Sequence, residues 1–294
     1  MIEMKPFNNQ VEIQWCPGCP NFGILQALKK ALAELGRAPR EVCLVSGIGQ
    51  AAKLPHYLNC NFFNGLHGRA LPAAVGIHCA NPTLTTLVTT GEGDCYGEGG
   101  NHFIHTVMRN PDITVMVHNN EFYALTKGQA SPTTLPGEKR ALQRKGVEKA
   151  QLNMPALAVA NGCTFVARGF AGDIEHLTDL IVRAVNHTGF SHLEVIQPCI
   201  TWSKKPVSWY REQVYKLKAD YDSNDRDAAM KMLLEQTEKK PIGVLYQTQP
   251  RKTMGARFRQ TITDRPLPEL KPIGAETIQS ALDDYRADPK KAGG

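Results

Sequence analysis

Aromatic residues make up only 7% of this 294-residue chain, and its +6 net charge is not gathered into any lysine- or arginine-rich run. Nucleic-acid surfaces need a concentrated basic face with stacking aromatics, so both scarcities weigh against that class. The chain also lacks any stretch near the roughly 18 uninterrupted apolar residues that a membrane helix requires. Residues 1–14, MIEMKPFNNQVEIQ, have no apolar core of a secretory leader. The expectation is a cytosolic protein with neither membrane nor nucleic acid as partner. Its eight cysteines are then expected as buried thiols or metal ligands rather than disulfides. What is present is 42% hydrophobic content, enough for a large α/β core, and a mild positive charge suited to small anions or acidic protein partners.

The unusual chemistry concentrates in residues 84–134. A β-branched run at 84–90 stops abruptly at Gly91-Glu92-Gly93-Asp94, as a buried parallel strand does on meeting a phosphate-binding loop. A helix is expected from near Asn101, and a second apolar run at 113–117 ends in Asn119-Asn120. Two acids and two amides thus fall at the carboxyl ends of neighbouring strands, where open α/β sheets bind ligands. Magnesium takes oxygen ligands, commonly one or two side chains with phosphate and water. Glu92, Asp94, Asn119 and Asn120 with a nearby carbonyl could supply them while Gly91 and Gly93 admit a diphosphate. The competing explanation is a tight turn followed by an Asx-capped loop.

Elsewhere, 22–35 has apolar residues at helical spacing and is closed by Gly36. The strand expected at 42–46 leads into Gly47-Ile48-Gly49 with Lys53 beyond, either an anion-binding turn or an ordinary strand-to-helix turn. His67 and Arg69 precede a helix at 71–79, and a lone histidine there is more often a capping or core residue than a catalytic one. Residues 132–145 read as an exposed loop. Helices at 154–160 and 174–186 alternate with strands at 163–167 and 193–198. Residues 203–241 are expected helical and charged, with a short strand at 242–246. The tail from Arg251 lacks core periodicity and is expected to wrap a partner or be partly disordered.

Cys16 and Cys19 in WCPGCP have the spacing that lets two thiolates reach one metal or cluster, with a thioredoxin-like redox pair as the rival. Cys199 follows the strand at 193–198 and would emerge on the ligand edge if that strand is parallel; a buried thiol at a strand end is the alternative.

Taken in order, WCPGCPNFGIL, SGIGQAAKLPHY, GLHGRALPAAVGI, GEGDCYGEGGNHFIH, MRNPDITVMVHNNEFYALTKGQASPTT and EVIQPC resemble the β subunit of 2-oxoacid:ferredoxin oxidoreductases over roughly residues 10–205. The resemblance implies an open, mostly parallel α/β sheet with helices on both faces at 1–205; residues 206–294, beyond it, are expected as a helical, charged extension packing on that domain or on a partner subunit. It implies thiamine diphosphate, Mg²⁺ and a [4Fe–4S] cluster as cofactors. An α or α/γ subunit, ferredoxin, a 2-oxoacid and coenzyme A are implied as partners. It assigns Mg²⁺ to Glu92, Asn120 and the Phe122 carbonyl, and the diphosphate to Gly49, Gly91, Gly93, Asp94 and Asn120. Lys53 and His67 match positions near cofactor and substrate. Lys127 matches one facing the distal end of the substrate, which suits the second carboxylate of 2-oxoglutarate.

Two positions depart from the family pattern. Glu92 stands where the family usually has Asp, and Gln50 where many members have a cluster cysteine. Cys16, Cys19 and Cys199 match cluster positions, which leaves Cys60, ahead of Cys79, as the expected fourth ligand. A cluster-free, non-oxidative thiamine-dependent decarboxylase subunit and a non-catalytic scaffold of the same fold are the competing functions.

Overall fold

The computed structural model describes residues 5–203, 205–235, 239–258, 265–270, 272 and 274–285. The chain builds one eight-stranded sheet from β1 (Val42–Ser46), β2 (Asn61–Asn64), β3 (Thr85–Gly91), β4 (Thr114–Asn119), β7 (Phe165–Phe170), β8 (Ser191–Ile196), β9 (Val214–Lys216) and β10 (Lys240–Gln247). A separate ribbon pairs β5 (Phe122–Tyr123) with β6 (Gln129–Ala130). In the sheet, β2-β1-β3-β4-β8-β7 run parallel, β10 lies antiparallel on β7, and β9 pairs parallel with β10.

Both faces of the sheet are covered, which is why its central strands read as unbroken apolar runs. Val42 and Leu44 point into one layer with Leu87 and Met116, against α1 (Asn21–Glu34) and α5 (Ile174–Asn186). Cys43 and Val45 point into the other with Val88, Val115 and Val117. That layer is covered by α2 (Ala70–Ala80), α3 (Gly100–Arg109), α4 (Met154–Ala160) and α7 (Arg226–Leu234). Helix α1 buries Ile24, Leu28, Ala31 and Leu32 along one stripe. It ends where Gly36 takes φ +64° and the Arg37 amide donates back to the Leu32 carbonyl. Asp173 caps α5 by accepting from the His176 amide at 3.2 Å.

Strand order 2-1-3-4 places a topological switch between β1 and β3, because the chain leaves β1 toward β2 on one side and returns to β3 on the other. The crevice at the carboxyl ends of those two strands is therefore where a ligand can enter between diverging loops. The Gly47–Gln50 turn and the Gly91–Asp94 turn both open there.

Three expectations change. The helical run expected at 203–241 is broken into α6 (Val207–Glu212), β9 and α7, with a turn closed by Asp225, whose side chain caps α7. The strand expected at 242–246 is β10, hydrogen-bonded into the main sheet, so the division expected near 205 falls within one sheet. The beginning of the expected loose tail is docked: Arg251 donates to the Val107 carbonyl at 2.7 Å, and Met254 is buried. Beyond it the chain forms a 3₁₀ turn at Leu267–Glu269 and a helix at Ala275–Tyr285, while residues 259–264, 271, 273 and 286–294 lie outside the described residues. Among the described residues, no helix is long and apolar enough to cross a membrane.

Candidate functional site

At the switch point Asp94 ties three segments together. Its Oδ1 accepts from the Gly68 amide at 2.6 Å and stands 2.7 Å from His67 Nδ1, and its Oδ2 accepts from the Thr90 hydroxyl at 2.7 Å. The carboxylate lies so close to the β1 turn that a Cβ on Gly47 would come within 2.1 Å of Oδ2. Both oxygens of Asp94 are thus committed to holding the β1, α2 and β3 loops in register, and the residue is buried.

Glu92, two residues earlier, is in the opposite condition. It is 1% exposed, its Oε2 accepts a long 3.4 Å bond from the Asn120 amide, and its Oε1 has no hydrogen-bond partner among the described residues. Burial pushes its carboxyl up to about 7, against the opposing pull of Ser131 and nearby backbone amides. Asn120 turns the chain after β4: its Oδ1 accepts from the Phe122 amide at 2.9 Å, and Glu121 sits at φ +65°. Glu92, from the loop after β3, therefore stands against the turn after β4 that carries Asn120 and Phe122. Gly91 borders open space, where an added Cβ would meet nothing within 4 Å. A buried, half-satisfied carboxylate beside such a space fits a divalent cation bridging to a diphosphate.

Other predicted oxygens and glycines have different duties. Asn119 donates to Glu194 Oε1 at 3.1 Å and accepts from the Thr133 hydroxyl at 2.8 Å, so it is occupied within the core. Gly93 makes room for Tyr123, whose ring would lie 2.5 Å from a Cβ there. Gly49 adopts φ +113° in the turn after β1.

Cys16, Cys19 and Cys199 come together on the same edge of the sheet. The Thr201 hydroxyl donates to Cys16 Sγ at 3.3 Å, the Trp202 amide to Cys199 Sγ at 3.4 Å, and Gln197 Nε2 to Cys19 Sγ at 3.8 Å. Burial raises the Cys19 thiol, the Asn21 amide opposes that, and neighbouring Cys16 and Cys199 raise it further. Cys60 does not join them. It precedes β2 and lies against Cys43, where burial pushes its thiol up to about 12 with Cys43 adding to the effect. Parallel strands start together, so Cys60 sits on the amino edge of the sheet, and Cys79, at the end of α2 before β3, sits there too. Among the described residues no three His, Cys, Asp or Glu side chains are grouped to hold a single ion.

Lys53 Nζ donates to the Gln14 carbonyl at 3.1 Å, which ties it to the N-terminal arm. Lys127, at φ +78°, borders a cleft of about 720 Å³ shared with Lys139, Arg140, Arg144 and Lys205. Trp202 bridges this cleft to the thiol loop: its indole donates to the Ala124 carbonyl at 2.9 Å, and Gly128 leaves room for its ring. A second cavity, of about 490 Å³, lies beside Asn119, Asn120 and Glu121 and reaches the buried Arg168–Glu194 pair, 2.7 Å apart. Sequence reasoning passed over that pair. Its signal was one charge of each sign inside two apolar strands, at positions that the register makes direct neighbours.

A doubly wound sheet with an acidic glycine loop at its switch point and an asparagine turn after the adjacent strand defines the class as a thiamine-diphosphate-binding domain. Accordingly, residues 45–195 match the family described as thiamine pyrophosphate enzyme, C-terminal TPP binding domain. Residues 199–262 match the family described as the C terminal part of the pyruvate ferredoxin oxidoreductase beta subunit. The chain is 40% identical over 287 residues to 2-oxoacid:ferredoxin oxidoreductase 1, subunit beta, of Aeropyrum pernix, covering 92% of this chain and 90% of that one. It is 42% identical over 266 residues to the corresponding β subunit of Saccharolobus solfataricus, covering 85% and 86%. A solved 2-oxoglutarate:ferredoxin oxidoreductase from Magnetococcus marinus, with 2-oxoglutarate, coenzyme A and succinyl-CoA bound, superimposes with a TM-score of 0.88 at 32% identity over 95% of each chain. The chain belongs to the β subunits of the 2-oxoacid:ferredoxin oxidoreductases. It is thus part of an oxidoreductase, and a β subunit implies an α partner.

Proposed function

We propose that this chain binds thiamine diphosphate through Mg²⁺ and an iron–sulfur cluster through its converging thiols, and acts with its α partner on a 2-oxoacid, 2-oxoglutarate in preference. The observation that carries the reading is Glu92: a buried carboxylate with one oxygen unpartnered among the described residues, next in sequence to Gly91 and its open space. Its carboxylate, the Asn120 side chain and the Phe122 carbonyl would hold the metal, with Gly49 and Gly91 leaving the diphosphate room. Glutamate in place of aspartate extends the carboxylate by one methylene, which leaves Asp94 to its loop contacts.

When bound, thiamine diphosphate supplies the carbanion chemistry by which a 2-oxoacid loses or gains CO₂. The chain's own residues contribute placement and charge. His67, fixed by Asp94 and still partly open to solvent, can hold or pass a proton at the mouth of the site. Lys127 and the neighbouring cations supply a positive wall for the distal carboxylate and for the phosphates of coenzyme A. Lys53 would balance substrate charge. Cys16, Cys19 and Cys199 would hold the cluster, which would supply one-electron transfer toward ferredoxin.

Titration of the full chain with thiamine diphosphate, with and without Mg²⁺, tests the cofactor half. Metal-dependent binding that is abolished by Asn120→Ala is expected, and binding that is indifferent to Mg²⁺ or to that substitution would refute it. Iron and acid-labile sulfide analysis after anaerobic purification separates this reading from a cluster-free decarboxylase.

A further inference from the structure

All eight cysteines lie within the described residues, so the supply of thiols around Cys19 can be followed to its end. Cys43 lies within the start of β1, Cys60 just before β2, Cys79 at the end of α2 and Cys163 just before β7, all on the amino edge of the sheet. Cys95 follows β3 on the carboxyl edge, but it is buried in the layer beneath α2 and α3, whereas Cys19 packs against the opposite layer. Three thiols remain for a cluster that ordinarily takes four ligands.

The candidate for the fourth corner is Gln50. It follows β1 on the carboxyl edge, and its carbonyl accepts from the indole of Trp15, the residue preceding Cys16, at 2.9 Å. Its side-chain Oε1 is shielded from solvent and has no hydrogen-bond partner among the described residues. A shielded, unpaired amide oxygen is costly unless some further group satisfies it.

We infer that Cys16, Cys19 and Cys199 bind three irons of the cluster and that the fourth iron faces Gln50 rather than a thiolate, which makes that iron exchangeable. The inference rests on the cluster reading above. A neutral amide oxygen is a hard, weak donor to iron compared with thiolate, so the unique iron is held chiefly by sulfide. Its release is balanced as loss of Fe²⁺ from [4Fe–4S]²⁺ to leave [3Fe–4S]⁰. Ferricyanide then removes one electron to give [3Fe–4S]⁺, whose odd spin is visible by electron paramagnetic resonance. Dithionite with added Fe²⁺ reverses both steps.

The test uses the full chain copurified anaerobically with its partner subunit and treated with a chelator and one equivalent of ferricyanide. Iron content and the spin signal are followed over time in the parent, Gln50→Cys, Gln50→Ala, Cys60→Ser and Cys79→Ser. The parent should lose about one iron per cluster and develop the three-iron signal, and Gln50→Cys should do so roughly tenfold more slowly or not at all. Gln50→Ala should convert at least as fast as the parent. Cys60→Ser and Cys79→Ser should match the parent in iron content and rate. A parent cluster that resists chelation, or iron lost in Cys60→Ser or Cys79→Ser, would overturn the inference while leaving the cluster reading intact. A freshly purified complex with neither iron nor sulfide would overturn both.

Discussion

Adding one methyl group at Gly47 tests whether Asp94 is the tie on which the site's geometry depends. The Cβ of Gly47→Ala would lie 2.1 Å from Asp94 Oδ2 and 2.8 Å from both its Cγ and Oδ1, so the carboxylate or the β1 backbone must move. Asp94 accepts from Gly68, His67 and Thr90 at 2.6 to 2.7 Å, and bonds to an ionised acceptor contribute about 1.5–3 kcal/mol each. Losing two of them predicts destabilisation of about 3–6 kcal/mol, a large share of the roughly 5–15 kcal/mol typical of a domain. Urea unfolding should show a lower midpoint at unchanged slope. Gly91→Ala is the counterpart: its Cβ enters open space, so stability should change by no more than about 1 kcal/mol while thiamine diphosphate binding weakens severely. A Gly47→Ala chain as stable as the parent would refute the tie, and a Gly91→Ala chain that binds the cofactor normally would refute the placement of the diphosphate.

His118 and His192 are fully buried, and burial pushes them down to about 3 and about 4. Unfolded histidine takes up its proton near 6.5, so the unfolded chain binds more protons below that pH. Stability should fall as pH drops from about 6.5 toward 4, by about 1.4 kcal/mol per pH unit for each histidine. His192→Gln should flatten the urea-midpoint profile by that amount, and an unaltered profile would count against it. At Glu194 burial favours the neutral acid, but the Arg168 guanidinium holds the carboxyl below its usual range. Glu194→Gln should therefore cost about 3–5 kcal/mol by stranding a buried cation, and an unfolding midpoint like the parent's would contradict this. Lys127→Ala should raise the apparent KM for 2-oxoglutarate about tenfold more than for pyruvate, a difference of about 1.4 kcal/mol, and equal effects would remove Lys127 from carboxylate recognition.

The elements around the switch point were legible because local chemistry and tertiary placement agree there. An apolar run stopped by Gly91 is a strand meeting a loop whatever surrounds it. Residues with identical local signals but different partners were not separable. Glu92 and Asp94 are both acids flanked by glycine, and only the fold reveals that His67, Gly68 and Thr90 converge on the second. Cys60 illustrates an error of direction. Ten positions beyond Gln50 suggested proximity, yet the intervening 3₁₀ segment Ala51–Tyr57 carries the chain back to where parallel strands begin. A residue just before a parallel strand belongs to the amino edge, and that rule alone separates Cys60 from Cys199. The helical expectation for 203–241 failed because composition reports charge and says little about Val214 and Tyr215 finding an open strand edge beside β10.

The antiparallel docking of β10 on β7 also sets an order of events during synthesis. Lys240 lies seventy positions after Phe170 (240 − 170), so at about 5–20 residues per second a ribosome needs roughly 4–14 s between making one strand and beginning its partner. Throughout that interval the outer edge of β7 presents unpaired amides and carbonyls along the apolar stretch Phe165-Val166-Ala167. Such an edge is a template for pairing with another nascent chain. The arrival of β10 is the moment at which that edge is closed, and mutations that delay it should lower the yield of soluble chain without altering the site itself.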